Sequence, residues 1–183
     1  GLAAVELGAA MGARVIAAAS SPEKLALAKS RGASETIAYS ASGLGKDGQR
    51  ALAEEIKRLT SAQGADVVYD PVGGEFSEAA LRATAWAGRF LVVGFAAGDI
   101  PKIPLNLALL KGCDIMGVFW GAFAERFPEQ NRQNVRELMD LFVAGAARPH
   151  VSRAYPLAQA PAALADLAAR RATGKLVIAM DPA

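Results

Sequence analysis

GLAAVELGAAMGARVIAAASSPEK, Gly1 to Lys24, reads as a helix that runs directly into a strand. Leu2, Val5 and Ala9 fall on one helical face, Gly12 stands where helices commonly stop, and Arg14 to Ala19 has the apolar run of a short buried strand. No turn, charged leader or initiator Met precedes the helix, so Gly1 is expected to be the survivor of a cut. Downstream the alternation repeats. Pro22 to Arg31 reads as a helix closed by Gly32, and Glu35 to Tyr39 as a strand. The Gly- and Ser-rich Ser40 to Gly48 is a loop, expected to be the most mobile stretch. Arg50 to Ala62 carries Leu52, Ile56 and Leu59 at helical spacing, and Asp66 to Asp70 is the next buried strand. A helix from Phe76 to Trp86, a strand from Arg89 to Val93, a loop through Pro101 and Pro104, and a strand from Cys113 to Phe119 follow. Val135, Leu138, Met139, Phe142 and Val143 mark one face of a long helix. Strands separated by helices predict an α/β fold, a doubly wound parallel sheet with helices on both faces.

Residues 1–147 form that doubly wound unit, and residues 148–183 change character. Arg148 to Tyr155 is a polar strand, Ala158 to Arg171 a helix and Lys175 to Met180 a closing strand, which periodicity leaves free either to extend the sheet or to join a second domain. At 183 residues with 52% hydrophobic and 21% charged residues, the chain can bury a core of its own. Its apolar runs are broken before they reach membrane-spanning length. The net charge of +2, without a basic run, argues against nucleic acid. One Cys (Cys113) and one His (His150) assemble neither a zinc site nor an internal disulfide, which favours a cytoplasmic setting and no metal. Cys113 opens an apolar strand and reads as an inert thiol, while His150 reads as a strand entry.

Five runs carry a resemblance: residues 1–33, GADVVYDPVGG (64–74), GRFLVVGFAAG (88–98), GVFWGAF (117–123) and RRATGKLVI (170–178). In this order they resemble the medium-chain dehydrogenase/reductase family, and within it the zinc-independent NADPH:quinone oxidoreductases related to zeta-crystallin. The resemblance spans nearly the whole chain. It implies an absent N-terminal substrate domain, an absent first strand of a dinucleotide-binding sheet, and an absent Gly-rich turn whose last Gly is Gly1. In the strand order 3-2-1-4-5-6 the absent strand is central, and the helix after Gly1 points its N-terminus at the cofactor pyrophosphate. The last forty residues would return to the absent domain. The implied activity is hydride transfer from NADPH to a quinone or enone.

Ligands in such sheets lie beyond the carboxyl ends of the strands. After Ala19 come Ser20, Ser21 and Lys24, with no acidic residue at the strand end, which points to the 2′-phosphate of NADPH. The alternative is a plain helix start with Ser21 as N-cap and Pro22 at N1. The resemblance adds Tyr39 and Arg171 around the same phosphate. It also places Val72, Gly94 and Phe95, and the backbone at Phe119 and Trp120, beside the nicotinamide half. The rival reading there is tight turns and aromatic packing. No acid, base or nucleophile forms a catalytic set, so the catalytic residues stay unassigned and the cofactor brings the chemistry. The strand 113–119 lacks the charges and Pro that guard natural edges, so a homodimer through it is expected, as the resemblance also implies. The chain alone is expected to bind NADPH weakly. The alternatives are a zinc alcohol dehydrogenase of the same superfamily and a non-catalytic, dimer-forming or cofactor-sensing fragment.

Overall fold

The computed structural model describes residues 1–40, 43–169 and 171–180. All of its strand pairings are parallel, and they fall into three ladders. β1 (Val15–Ala19) pairs with β2 (Ala33–Ala38) across α2 (Pro22–Ser30), with α1 (Leu2–Ala10) leading into them. β3 (Ala65–Asp70), β4 (Thr84–Val92) and β5 (Asp114–Gly117) form the second ladder in that order. α3 (Gly45–Leu59) joins the two ladders, and α4 (Glu75–Arg82) and α5 (Asn106–Lys111) connect the strands of the second. α6 (Trp120–Arg126) and α7 (Pro128–Val143) follow. β6 (Val151–Pro156) then pairs with β7 (Lys175–Ala179) through a 3₁₀ turn and α8 (Ala160–Ala168). Parallel strands alternating with helices are what the sequence pattern predicts. Among the described residues, β1 has no strand partner besides β2 and β3 none besides β4, so each keeps one bare ladder side. Val67 and Tyr69 of β3 are correspondingly exposed.

Side chains, not backbone, join the two ladders. Val5, Ala17, Ala28 and Ala33 make a small core between α1, β1, α2 and β2. Small residues are needed there, since a Cβ on Gly32 would stand 2.6 Å from the Ala9 methyl. A second cluster of Ile37, Leu52 and Ala79, flanked by Ile16, Ile56, Leu59 and Phe76, ties β1 and β2 through α3 to α4. A third unites Leu81, Phe90 and Leu107 with the half-buried Cys113. Polar ties complete the junction: Arg14 Nη1 donates to the Leu59 carbonyl at 2.8 Å, and Gly45 N–H donates to Glu75 Oε2 at 2.8 Å. Leu44 and Gly45 N–H together hold the Glu75 carboxyl below the usual range.

One guanidinium fastens the C-terminal segment. Arg31 Nη1 donates to Glu6 Oε1 at 2.8 Å and to the Arg148 carbonyl at 3.0 Å, and its Nη2 lies 3.1 Å from His150 Nδ1. Guanidinium has only donors, so Nδ1 of His150 is the acceptor and its proton sits on Nε2.

Several boundaries differ from the sequence reading. The helix read through Trp86 ends at Arg82, because Thr84 returns its hydroxyl to the Ala80 carbonyl at 3.1 Å and opens a strand beside Ala65. Five residues of β4 then face two of β3, and Ala87 at φ 56° marks the bulge from which Trp86 projects 76% exposed. α3 begins at Gly45, not Arg50, because Glu75 from another helix supplies its cap. It ends at Leu59, where Thr60 Oγ1 turns back to accept from Gly64 N–H at 3.0 Å. The predicted mobile loop is thus largely helix from Gly45 onward, and its residues 41 and 42 lie outside those described. α5, unread in the sequence, is a six-residue turn of helix closed by Gly112 in the left-handed region. The strand read as 113–119 pairs as a strand only over Asp114–Gly117, with Val118 N–H adding one bond to the Val92 carbonyl at 2.9 Å before α6 starts. The C-terminal helix, read as 158–171, is α8, and Arg171 lies beyond it. The face of α7 read in the sequence, Val135 to Val143, is exposed.

Candidate functional site

All but Gly1 and Arg171 of the residues singled out in the sequence lie just past the carboxyl ends of strands. Tyr39 N–H donates to the Ala19 carbonyl at 3.1 Å, which sets the end of β2 beside Ser20 and Ser21, and the Tyr39 ring tilts against Phe76 at 4.7 Å. Ser21 is the N-cap of α2: its Oγ accepts from Lys24 N–H at 3.3 Å, with Pro22 at the first turn. Its hydroxyl also reaches Glu23 and holds that carboxyl below its ordinary range. Both readings of this stretch therefore meet in one turn. Ser21 is committed to the cap, and Glu23 brings a carboxylate to the strand end that the sequence reading took to be free of one. Ser20 and the Lys24 ammonium are left as the groups for an anion there.

The second group is built on Asp70, which is 8% exposed at the last position of β3. Asp70 Oδ1 accepts from Val72 N–H and Gly73 N–H, both at 2.9 Å, and Oδ2 accepts from the buried Ser77 hydroxyl at 2.5 Å. Its main-chain carbonyl takes Val93 N–H at 2.9 Å and Gly94 N–H at 3.3 Å. The turn after β3 and the turn after β4 then zip together. Ala96 N–H donates to Pro71 O at 3.1 Å, Ala97 N–H to Val72 O at 2.8 Å and Gly74 N–H to Asp99 O at 3.0 Å. Gly73, at φ 71°, admits Phe95, whose ring edge would lie 2.8 Å from a Cβ at that position. Val72, Gly94 and Phe95 are thus one surface. The sequence reading found its members but missed Asp70 and Ser77 that hold it. An Asp at a strand end ahead of Pro-Val-Gly-Gly is the signal, since Asx side chains bond backbone N–H groups two residues on.

Phe119 precedes α6 and Trp120 opens it, 79% and 52% exposed, and Trp120, Phe123 and Phe127 follow as a row of tilted rings 5.5 and 5.6 Å apart. The Val118 to Val92 bond puts Phe119 next to the end of β4. Gly1 sits at the start of α1, its carbonyl accepting from Ala4 and Val5 N–H, with no atom within 4 Å of its missing Cβ. Arg171 is engaged otherwise. It pairs with Asp166, which also accepts from the Tyr155 hydroxyl, and these two partners hold the Asp166 carboxyl below its usual range. The expected grouping of Arg171 with Lys24 and Tyr39 is replaced by this ion pair. A cleft of about 310 Å³ borders these turns, lined by Gly74 and Asp99 together with Gln49, Glu75, Glu78 and Lys102.

For a dinucleotide the donor set fits. Ser20 and Lys24 stand at one strand end, open space at Gly1 permits close approach of backbone, and the exposed Phe119 and Trp120 stand beside the end of β5. For zinc it does not. Among the described residues no three His, Cys, Asp or Glu side chains come together to hold a metal.

Comparison with known proteins gives consistent matches. A family model described as zinc-binding dehydrogenase matches residues 1–143. A quinone oxidoreductase-like protein 2 homolog from Nematostella vectensis is 36% identical over 180 residues, 97% of this chain and 47% of that protein. A quinone oxidoreductase from Pseudomonas aeruginosa is 34% identical over 179 residues, 97% of this chain and 52% of that one. A mycobacterial protein solved in complex with NADPH superposes with a TM-score of 0.85 at 30% identity, over 97% of this chain and 53% of that one. The chain spans about half the length of the relatives it matches.

Proposed function

The chain belongs to the zinc-binding dehydrogenase family, within the medium-chain dehydrogenase/reductase superfamily, and from that premise we propose that it is the cofactor-binding half of an NADPH-dependent reductase acting on quinones or conjugated carbonyls in the cytoplasm. One observation supports the reading: Ser20 and Lys24 follow the carboxyl end of β1, Val72 that of β3, Gly94 and Phe95 that of β4, and Phe119 and Trp120 that of β5, where open parallel sheets bind ligands. The bare sides of β1 and β3 suit a central parallel strand, which would bring a Gly-rich turn to α1. No helix among the described residues is long and apolar enough to cross a membrane. When bound, NADPH supplies a hydride from its nicotinamide ring. The chain's part is to position. Ser20 and Lys24 take the 2′-phosphate, the N-terminus of α1 faces the pyrophosphate, Val72, Gly94 and Phe95 seat the nicotinamide, and Phe119 and Trp120 wall the acceptor side. No zinc step is derived, because the donors of this chain do not fit one. The experiment is NADPH oxidation with a quinone, run on the longer protein and on this chain. Activity in the longer protein and weak binding by the chain are expected, and equal NADPH affinity in both would contradict the half-site reading.

Lys24 tests the choice of NADPH. Its ammonium stands in the first turn of α2, just past the end of β1, and a hydrogen bond to a charged group contributes about 1.5 to 3 kcal/mol. Lys24→Ala is therefore expected to lower kcat/KM for NADPH by about one to two powers of ten and leave NADH nearly unchanged. Equal losses for both cofactors would make Lys24 structural, and a wild type that prefers NADH would overturn the cofactor assignment.

The same reading includes a homodimer formed by antiparallel pairing of β5 with its two-fold mate. Ile115, Met116 and Val118 are exposed, and the strand carries no charge or Pro past Asp114. Val118 is the wrong place to block it, since its N–H already serves Val92. The N–H of Ile115 alternates to the bare side. Ile115→Pro is expected to yield monomers in sedimentation velocity. A dimer that survives the change, or a monomeric wild type, would refute the interface.

A further inference from the structure

We propose that Asp70 is a positioning residue: by holding the Val72 and Gly73 amides, the Ser77 hydroxyl and, through its carbonyl, the Val93 and Gly94 amides, it locks the two turns that seat the nicotinamide into one rigid surface. The proposal rests on the NADPH reading above and adds what makes that surface stiff. The buried carboxyl accepts two bonds at Oδ1 and one at Oδ2, so both of its oxygens are paired. The neighbours repeat the design. Ser77 is 1% exposed and donates into the knot, and Phe95 lies against Gly73 where any side chain would collide. The carboxylate itself faces the turn backbone, so it neither donates to an acceptor nor takes a proton from one. Its effect is on where the ring sits. The adenosine end, held at Ser20 and Lys24 in a different ladder, does not depend on it.

Affinity and turnover should therefore separate. In the longer protein, Asp70→Ala is expected to lower kcat with NADPH by about 10- to 100-fold, the scale on which small misplacements act. The NADPH Kd from calorimetry should move by less than about threefold, since binding away from the reacting end is untouched. In the cofactor-free protein, hydrogen exchange at the Val72 and Gly73 amides should accelerate. Asp70→Asn keeps an Oδ1 acceptor for both amides, so kcat should return to within about threefold of wild type. If Asp70→Ala does not fold, Ser77→Ala removes the Oδ2 partner alone and should lower kcat at constant Kd. Unchanged kcat in the variant that folds, a Kd that rises as much as kcat falls, or an Asn variant as impaired as the Ala one would each overturn the proposal. A wild type that neither binds nor oxidises NADPH would instead bring down the functional reading beneath it, a result visible before any variant is made.

Discussion

Arg31→Ala is expected to cost about 2 to 4 kcal/mol of folding stability, less than breaking a fully buried ion pair because the Arg31 side chain is 28% exposed while the Glu6 carboxylate is buried. Glu6 is 8% exposed on α1, and the guanidinium 2.8 Å away is what offsets its desolvation. Without it the carboxylate is buried without its ion-pair partner, and the Arg148 carbonyl and His150 Nδ1 lose a donor in the same step. Arg31→Lys should retain part of the stability, because a single ammonium cannot serve three acceptors in a fork. Adding Glu6→Gln to Arg31→Ala should recover part of the loss, since a neutral amide is cheaper to leave buried. Urea midpoints of the four proteins are the measurement. A loss below about 1 kcal/mol for Arg31→Ala, the usual ceiling for a surface pair, would mean that Glu6 finds water in the folded state.

Gly64→Ala is expected to be comparably damaging, for a reason that involves no charge. Gly64 leads into β3 at φ 88°, and a Cβ there would lie 2.7 Å from Ala83 O, 2.8 Å from Ala85 N and 2.9 Å from the Thr84 carbonyl carbon. All three are backbone atoms of the segment that enters β4, so no side chain can move aside. The left-handed conformation alone costs a residue with a Cβ about 1 to 3 kcal/mol. The collision should bring the total to about 3 kcal/mol or more, at the upper end of ordinary point substitutions. Gly12→Ala is the matched control: φ is 83° and nothing lies within 4 Å of the new methyl, so only the backbone term remains. Thermal unfolding of both variants separates the two contributions. Equal losses would mean that the β3–β4 entry relaxes around the methyl.

The parts of this chain legible in its sequence are those fixed by near neighbours. Leu2 to Ala38 reads correctly because its strand and helices follow from apolar period and Gly stops, and the Ser21–Pro22 helix start carries its own signature. Misreadings occur where a distant residue decides. The start of α3 is set by Glu75, thirty positions away, and the early end of α4 by the demand of β3 for a partner at Thr84. α5 is too short for a periodic pattern. Within the candidate site, glycines and aromatics after strand ends are visible as turns, and the family resemblance is what points Val72, Gly94 and Phe95 at a cofactor. Asp70 escapes because its role appears only when two turns meet. Arg171 shows the converse: likeness to a family points it at a phosphate, while Asp166, five residues earlier, engages its guanidinium.

The separated ladders also have a meaning in time. Every strand pair joins neighbours in chain order, each across one short crossover, so no ladder waits on the closure of a long loop. Low contact order of this kind favours rapid formation, and during synthesis each ladder can close soon after its second strand emerges. The rung left bare on β1 faces a strand that would be its chain neighbour across α1, and the one left bare on β3 faces the same strand from the far side. A strand preceding α1 would close on β1 first, and the cofactor's floor would come into being only when the β3 ladder docks on its other side.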